Sequence, residues 1–301
     1  MMKNGVSKNG LQRVLGLRPY DAGFEDLEPI FVGLDIEAER PEREKARSDS
    51  SYQPRIKEVG LALLDSRDLA DDVSSSSKTV IRSIGFPVHY TDEEGSWNSI
   101  CVNCVGLTVL NAIKITDINS EHERLRNLVI VGHSPYGDIT MLKNLGADLD
   151  ELELKYRVLD THNLAYQILP ACDESGAKPK WNLKAVMERL ECPFDHTSFH
   201  RGESDAHHHL HLMVKLGFRA FDDSLQDQPT PLPISNGPDD SAPPPQQVVA
   251  ARTRARLQEW YRVEFGDAVT VDSRQGSGSQ VPSSPRRYRG RRGRRGTDAD
   301  S

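Results

Sequence analysis

The chain has 301 residues, and its 38 lysines and arginines against 45 aspartates and glutamates give a formal net charge of −7. This length suits one large domain or two small ones, and the acidic balance excludes any argument for nucleic-acid binding from overall charge. The four cysteines form no dense framework, so a reducing intracellular compartment is expected. All apolar runs fall far short of the ~18 residues that a membrane span needs, which predicts no membrane segment.

Residues 1–28 are predicted to be a flexible leader. The first twenty residues include lysines and arginines but no acid, so an organellar targeting segment is the alternative interpretation. The expected location is therefore the nucleus or the cytoplasm, with organellar import left open.

Apolar runs and turn signals divide residues 29–221 into the elements of one packed domain. Three early strands predict an antiparallel meander, and the strands and helices after a polar helix near 118–126 alternate as βαβα. The fold class is therefore α/β, with a five-stranded mixed sheet flanked by helices. The strands are placed at 29–37, 56–65, 78–90, 127–133 and 156–161, and the later helices at 138–146, 162–169, 181–191 and 204–216.

The sequence after residue 221 changes in composition. Residues 222–247 are rich in Pro, Asp and Ser and predict a disordered linker, and residues 248–265 have the pattern of one amphipathic helix. Residues 266–301 predict a disordered tail rich in Arg and Gly. A second charged segment, "AERPEREKARSDSSYQPR", is inserted after the first strand and predicts a surface loop.

The tail contains a candidate nucleic-acid contact in the run "RRYRGRRGRRG". Its arginines suit contact with phosphates, and its tyrosine suits stacking on a base. A nuclear-import signal or a solubilising end explains the same run. The candidate residues are Arg286, Arg287, Tyr288, Arg289, Arg291, Arg292, Arg294 and Arg295.

Four carboxylates lie at the ends of predicted elements. Asp35 and Glu37 are two residues apart at the end of the first strand, so they project from one face and can reach a shared divalent cation. Asp138 opens a helix, and Asp205 lies in the first turn of the last helix. Because such a cluster repels itself, its acids are interpreted as ligands of two Mg²⁺ or Mn²⁺ ions, which catalyse phosphodiester hydrolysis in other proteins.

Five histidines lie between residues 199 and 213. His200, on a loop five residues before Asp205, is the candidate for proton transfer, since a histidine titrates near neutral pH. A helix from Ser204 to a stop at Gly217 predicts that His208 and His211 point to solvent. It places His207 and His209 on the two flanks of the helix.

Zinc sites are the alternative interpretation of two further patterns. His207 and His211 have i, i+4 spacing, and Cys101 and Cys104 form a C-x₂-C pair. Neither pattern has the further ligands that a structural zinc requires.

Three other residues have structural interpretations beside functional ones. Asp160 is expected to cap a helix, with a place near the metal site as the alternative. Trp181 is expected to pack in the first turn of a helix rather than stack on a base. His133 is expected to make a structural or substrate-side contact rather than bind metal.

The motifs together resemble the DEDDh branch of the 3′–5′ exonucleases, which has the ribonuclease H-like fold. "DIE" resembles the first motif, "GHSPYGD" the second, and "HRGESD" the third, H-x₄-D, with His200 and Asp205 at its ends. The sister DEDDy branch has tyrosine where this chain has Arg201. The sequence around the motifs is most similar to a fungal subgroup named for the yeast "good for full DEAD-box helicase activity" protein and linked to messenger RNA export. The resemblance covers residues 29–216.

Two functions follow as hypotheses. The first, implied by the resemblance, is a 3′–5′ exonuclease with two Mg²⁺ or Mn²⁺ ions, His200 as base, and single-stranded RNA or DNA as substrate, RNA being favoured. The second is an RNA-associated scaffold with little catalysis, whose partners include RNA-processing or export proteins. The motifs do not distinguish RNA from DNA, since 2′-hydroxyl recognition depends on the details of the pocket.

Overall fold

The computed structural model describes residues 5–17, 28–39, 54–69, 81–90, 98–117, 124–151, 156–170, 177, 179–195, 197–226, 253–255, 257–259 and 261–262. The chain divides into two units, Met1–Ala268 and Val269–Ser301, and the second lies entirely outside the described residues. Most of the inserted loop, the linker from residue 227 and the whole arginine-rich run also lie outside them.

The central feature is a six-stranded mixed sheet in the order β4-β3-β2-β1-β7-β8. Strands β1, β2 and β3 are antiparallel neighbours, whereas β7 and β8 continue the sheet in parallel with β1. This meander followed by parallel strands confirms the ribonuclease H-like α/β class. The strands are β1 Ile30–Ala38, β2 Ile56–Asp65, β3 Arg82–His89, β4 Ile100–Cys101, β5 Thr116–Asp117, β6 Arg124–Leu125, β7 Leu128–Gly132 and β8 Tyr156–Asp160.

Two details of the sheet differ from the sequence prediction. Strand β4 adds a sixth strand, and its two residues are too few to show an apolar pattern. Strand β6 pairs with β5 in a separate two-stranded sheet where a polar helix was expected. Short strands of this kind depend on their pairing partners rather than on local propensity.

Within residues 5–226, the described α-helices cover the two faces of the sheet. They are α1 Lys8–Val14, α2 Val105–Ile113, α3 Tyr136–Asn144, α4 Thr161–Ile168, α5 Leu183–Arg189 and α6 Gly202–Gln226. Among the described residues, no helix combines the length and the apolar character that crossing a membrane requires.

Side chains of β1 alternate between two hydrophobic cores. Val32 and Leu34 pack with α2 and α3 on one face, whereas Phe31 packs with α6 on the other. Because side chains in a strand alternate with a period of two, Asp35 and Glu37 share the face of Phe31. Both faces are covered, so the strand reads as an almost continuous apolar run.

Helix α6 lies directly on this sheet at positions occupied by glycine. A Cβ atom on Gly33 would come 2.2 Å from the carbonyl oxygen of Ala206, and one on Gly60 would come 1.9 Å from the carbonyl carbon of Gly202. Glycine therefore lets the backbone of α6 approach the backbone of β1 and β2, which sets the height of the helix N-terminus above the sheet.

The expected end of the last helix at Gly217 is wrong, since α6 continues to Gln226. A Cβ atom on Gly217 would come 2.3 Å from Cδ1 of Leu15. This glycine thus makes room for the N-terminal segment instead of ending the helix. Residues 222–226, expected in the linker, belong to the helix.

The expectation of a flexible leader is wrong for residues 5–17. The amide of Val6 donates to the carbonyl of Val158 on the edge strand β8 (2.9 Å), and Leu11 and Leu17 are completely buried. Burial of these leucines stabilises the packing of the segment on the domain. The prediction of a flexible leader rested on the charges of the segment and not on this apolar surface.

Residues beyond the linker also pack on the domain. Those described between 253 and 262 are helical, and Leu257 and Tyr261 are buried. The guanidinium of Arg254 donates to both carboxylate oxygens of Asp222 at 2.9 and 2.8 Å.

Candidate active site

The sheet and α6 bring the predicted acids to one edge of the domain. Asp35 and Glu37 lie at the end of β1, and Asp138 lies in the first turn of α3, which follows the parallel strand β7. Asp205 lies in the first turn of α6. Strands β1 and β7 are parallel, so their carboxyl ends meet at this edge.

Three of the predicted residues form a compact group. Ligand atoms of Glu37, His200 and Asp205 lie within 4.8 Å of one another, with His200 Nδ1 3.9 Å from Glu37 Oε1. The backbone amide of His200 donates to Asp205 Oδ2 at 2.9 Å. Side chain and backbone of the histidine are therefore placed by two different acids.

His200 has an unusual backbone conformation. Its φ angle of 64° lies in the left-handed region, which is uncommon for residues other than glycine although Asn, Asp and His adopt it more often than the rest. Its side chain is 79% exposed. The hydrogen bond to Asp205 holds this strained turn in place, and the ring remains open to solvent and substrate.

Burial and mutual repulsion dominate the electrostatics of the acids. Burial raises the pKa of Asp35 to about 8, and the carboxylates of Asp138, Asp205, Glu37 and Glu58 add to the shift. The Oδ2 atom of Asp35 is buried with no hydrogen-bond partner in the described part of the chain. An unsatisfied carboxylate oxygen among acids indicates a site that lacks positive charge.

The pKa values of two further acids of this edge are also raised. Burial raises the pKa of Asp138 to about 7, against the opposing effect of a backbone hydrogen bond from Ile36. The pKa of Glu37 is also raised, first by burial and then by Asp205, with His200 opposing.

The donor set fits a hard divalent cation. Carboxylate oxygens are the ligands that Mg²⁺ and Mn²⁺ prefer, and a cation would satisfy the buried oxygen of Asp35 while cancelling the repulsion. Among the described residues, Glu37, His200 and Asp205 form the one group of three or more Cys, His, Asp or Glu side chains close enough to share an ion. This finding gives no support to zinc at Cys101 and Cys104 or at His207 and His211.

The prediction that His208 and His211 point to solvent is wrong. His208, His209 and His211 are all buried, because α6 is covered by the sheet on one side and by α1, α4, α5 and the segment near Tyr261 on the other. The ring of His211 lies 4.8 Å from that of Tyr261. A polar histidine run therefore occupies the core of the domain.

His209 connects α6 to β1 through a buried hydrogen bond. Its Nδ1 lies 3.0 Å from the carbonyl oxygen of Leu34, which can only accept, so Nδ1 is the donor. Burial lowers the pKa of His209 to about 3, which keeps the ring neutral. This bond fixes the helix one turn after Asp205 to the strand one residue before Asp35.

The structural interpretations of three other residues are confirmed. Asp160 caps α4, since its side chain accepts hydrogen bonds from the amides of His162 and Asn163. Trp181 is buried in the core beside α6 as a packing residue, but it precedes helix α5, which begins at Leu183. His133 Nε2 lies 2.7 Å from the carbonyl oxygen of Trp181.

Sequence reasoning missed two residues close to the acids. Glu58 on β2 pairs directly with Glu37 on β1, and His208 Nδ1 lies 3.5 Å from Asp205 Oδ1. The "KEVG" stretch offers a glutamate, but only the strand register shows which residue it faces. All arginines of the tail motif and Tyr288 lie outside the described residues.

A cavity of about 640 Å³ opens at the sheet edge where β1 ends. Its wall includes Ile56, which pairs with Ala38 of β1, and Tyr90, whose ring lies 4.3 Å below the guanidinium of Arg55. Further lining comes from Asn103, Met141 and Asn144.

The raised pKa of Asp35 predicts a pH-dependent effect of Asp35→Asn. The Asp35 carboxyl releases its proton near pH 3.8 in the unfolded chain but keeps it to about pH 8 in the folded protein. Because the unfolded chain ionises first, this carboxyl lowers the free energy of unfolding progressively from about pH 4 to about pH 8. In EDTA, Asp35→Asn should raise the free energy of unfolding at pH 8 and change it little at pH 4. One quarter of the pKa shift of Asp35 already corresponds to a change of about 1.4 kcal/mol in the free energy of unfolding.

Urea denaturation at both pH values measures this difference. Asp148→Asn is the matched control, because Lys143 lies 2.6 Å from the Asp148 carboxylate and lowers its pKa. That variant should be slightly destabilised at pH 8. A difference at Asp35 that does not grow with pH would contradict the assigned electrostatics.

Comparison with known proteins gives one family match. Residues 98–216 match the family DEDDh_C, described as "DNA polymerase III subunit epsilon-like, C-terminal domain". No curated protein matches the chain. A crystal structure described as full-length 3′-exonuclease aligns with a TM-score of 0.36 at 13% identity, over 66% of this chain and 82% of the other. The segment that contains Asp138, His200 and Asp205 is thus similar to the DEDDh exonucleases, which supports that superfamily for the chain.

Proposed function

We propose that the chain is a metal-dependent 3′–5′ exonuclease that hydrolyses single-stranded nucleic acid. The observation that carries this proposal is the convergence of Asp35, Glu37, Asp138, His200 and Asp205, which come from three separate parts of the chain, at one edge of the sheet. The similarity of residues 98–216 to a DEDDh family supports the same reaction.

Two Mg²⁺ or Mn²⁺ ions would be held by the four carboxylates of this group, those of Asp35, Glu37, Asp138 and Asp205. Bound there, such ions would supply an activated water and support for the leaving oxygen of the phosphodiester. Asp35 has the central position, since its carboxylate interacts with Asp138, Asp205 and Glu37.

His200 is suited to accept the proton of the attacking water. Its ring is exposed and lies 3.9 Å from Glu37, and its turn is fixed by the amide hydrogen bond to Asp205. An exposed imidazole exchanges the accepted proton with solvent and returns to its basic form. Arg201, next in sequence and exposed, can contact a phosphate of the substrate.

The cavity beside the end of β1, whose lining includes none of the five site residues, is proposed to take one nucleotide of the strand. Tyr90 offers an aromatic ring and Asn103 an amide at its wall, and base stacking of this kind tolerates different sequences. We favour RNA as substrate because the motifs resemble a subgroup linked to messenger RNA export. The same resemblance favours the nucleus or cytoplasm as location and RNA-processing or export proteins as partners.

The decisive experiment is digestion of 3′- and 5′-labelled RNA and DNA oligonucleotides. Release of mononucleotides from the 3′ end is expected with Mg²⁺ or Mn²⁺ and should stop in EDTA. Asp205→Asn should lower turnover by at least about 10³-fold while the protein stays folded, because the loss of a ligand charge removes metal binding.

Asp148→Asn, on the surface, should retain full turnover and serves as control for Asp205→Asn. Digestion that continues in EDTA would contradict the metal-dependent reaction. Tight binding of the oligonucleotides without cleavage under every metal condition would favour the RNA-associated scaffold instead.

His200→Ala should lower turnover by ~10² to 10⁴-fold, as expected for a lost general base, with little change in metal affinity. Single-turnover kinetics at saturating Mg²⁺ and a Mg²⁺ titration measure the two quantities. His207→Gln is the matched control, since His207 contacts Ser83 of β3 rather than the acids. Wild-type turnover in His200→Ala would remove this residue from the reaction.

The arginine-rich tail is proposed to capture long substrates. Removal of residues 286–301 should weaken binding of a long single strand and make the salt dependence of its affinity shallower, since fewer counterions are released. Hydrolysis of a short oligonucleotide at saturation should not change. Binding measured at several salt concentrations with and without the tail checks this, and equal slopes would leave the tail without a nucleic-acid role.

A further inference from the structure

Two glutamates face each other at the edge of the site. Glu37 of β1 and Glu58 of β2 are paired in the antiparallel register, and like charges directly opposite each other destabilise a sheet. Glu58 is half-buried, and its carboxylate contributes to the raised pKa of Glu37. An acid at this position needs a compensating interaction.

The compensating interaction is with the first turn of α6. Glu58 Oε1 accepts a hydrogen bond from the backbone amide of Glu203 at 3.2 Å. Amides in the first turn of a helix have no partner within the helix, and the helix dipole favours a negative charge there. Glu58 thus supplies from the neighbouring strand what a capping residue normally supplies from the helix itself.

Glycines on two strands leave room for this contact. A Cβ atom on Gly85 of β3 would come 2.6 Å from Glu58 Oε1, and one on Gly60 would overlap the backbone of Gly202. The carboxylate of Glu58 therefore lies in a slot whose floor is the sheet and whose roof is the start of α6. Its oxygen is directed to the amide of Glu203.

We infer that Glu58 is a positioning residue, which holds the N-terminus of α6, and with it the His200 turn and Asp205, over the acids of β1. Glu203 lies between His200 and Asp205 in the sequence. The backbone amide of His200 donates a hydrogen bond to the carboxylate of Asp205, and the backbone amide of Asp205 donates one to the carbonyl of Arg201. The turn is thus closed internally, and Glu58 gives it a side-chain hydrogen bond to the sheet beside the backbone contact of Gly202 with Gly60. The effect on catalysis rests on the proposed nuclease function, whereas the placement of the helix does not.

A positioning role and a direct ligand role make different demands on the side chain. Holding an amide requires an acceptor oxygen, which glutamine retains, whereas the affinity for a divalent cation falls when a ligand loses its negative charge. Glu58→Gln and Glu58→Ala therefore separate the two roles. Glu203→Pro removes the donor amide at a position in the first helical turn where proline is tolerated, and Glu203→Ala is its matched control with the amide intact.

The experiment combines amide hydrogen exchange by NMR in EDTA with exonuclease kinetics and Mg²⁺ titration. Glu58→Ala should speed exchange of the Glu203 amide about tenfold or more, because a hydrogen bond to a charged group is lost. It should lower kcat about 10- to 100-fold, as expected for a small misplacement of catalytic groups, with KM and Mg²⁺ affinity within about twofold. Glu58→Gln should stay within about threefold of wild type, and Glu203→Pro should lower kcat relative to Glu203→Ala.

Three results overturn the inference. Unchanged exchange at Glu203 in Glu58→Ala shows that the helix does not depend on this contact, whether or not the protein is a nuclease. Equal loss of Mg²⁺ affinity in Glu58→Gln and Glu58→Ala makes Glu58 a ligand. Should Glu58→Ala fail to fold, Glu203→Pro and Glu203→Ala decide, and equal kcat in the two overturns the role. A wild-type chain without nuclease activity overturns the proposed function alone and leaves the exchange measurement to decide the placement.

Discussion

The close approach of α6 to the sheet is the constraint on which the candidate site depends. The carbonyl of Ala206 and the backbone of Gly202 occupy the space that side chains would fill at Gly33 and Gly60. Side chains at these two positions would hold the helix further from the sheet and lift Asp205 away from Asp35. Two absent side chains therefore bring the candidate acids together, and each additional contact of α6 with β1 and β2 makes that position more exact.

Holding these acids close together lowers the stability of the fold. Asp35 has a pKa of about 8 and a buried oxygen without a partner, and Glu37 faces a second glutamate. A cluster of this kind persists only because two hydrophobic cores, one on each face of the sheet, stabilise the elements that carry it. The strained turn at His200 has the same origin, since local cost at a site is compensated by packing elsewhere.

Local pattern predicted the parts of the site that local geometry determines. Asp35 and Glu37 share a face because a strand alternates, and Asp160 caps a helix because its side chain reaches its own chain. The histidines of α6 were misplaced because their environment is set by residues far away in sequence, such as Tyr261, which covers His211. The position of Glu58 beside the acids was not predicted from the sequence for the same reason. The sequence contains the glutamate, but the register of β1 and β2 and the approach of α6 give it a role.

Segments outside the expected domain complete the support of α6. Leu15 fills the space above Gly217, Arg254 pairs with Asp222, and the ammonium of Lys215 lies 4.5 Å from the ring centre of Tyr261. The N-terminal end of the helix is held by Glu58 and its C-terminal half by both ends of the described chain. A fragment cut to residues 29–221 would lack Leu11, Leu17 and Leu257 from its core. Because one rigid helix connects these contacts to Asp205, packing at the termini and the placement of the acids belong to the same structural unit.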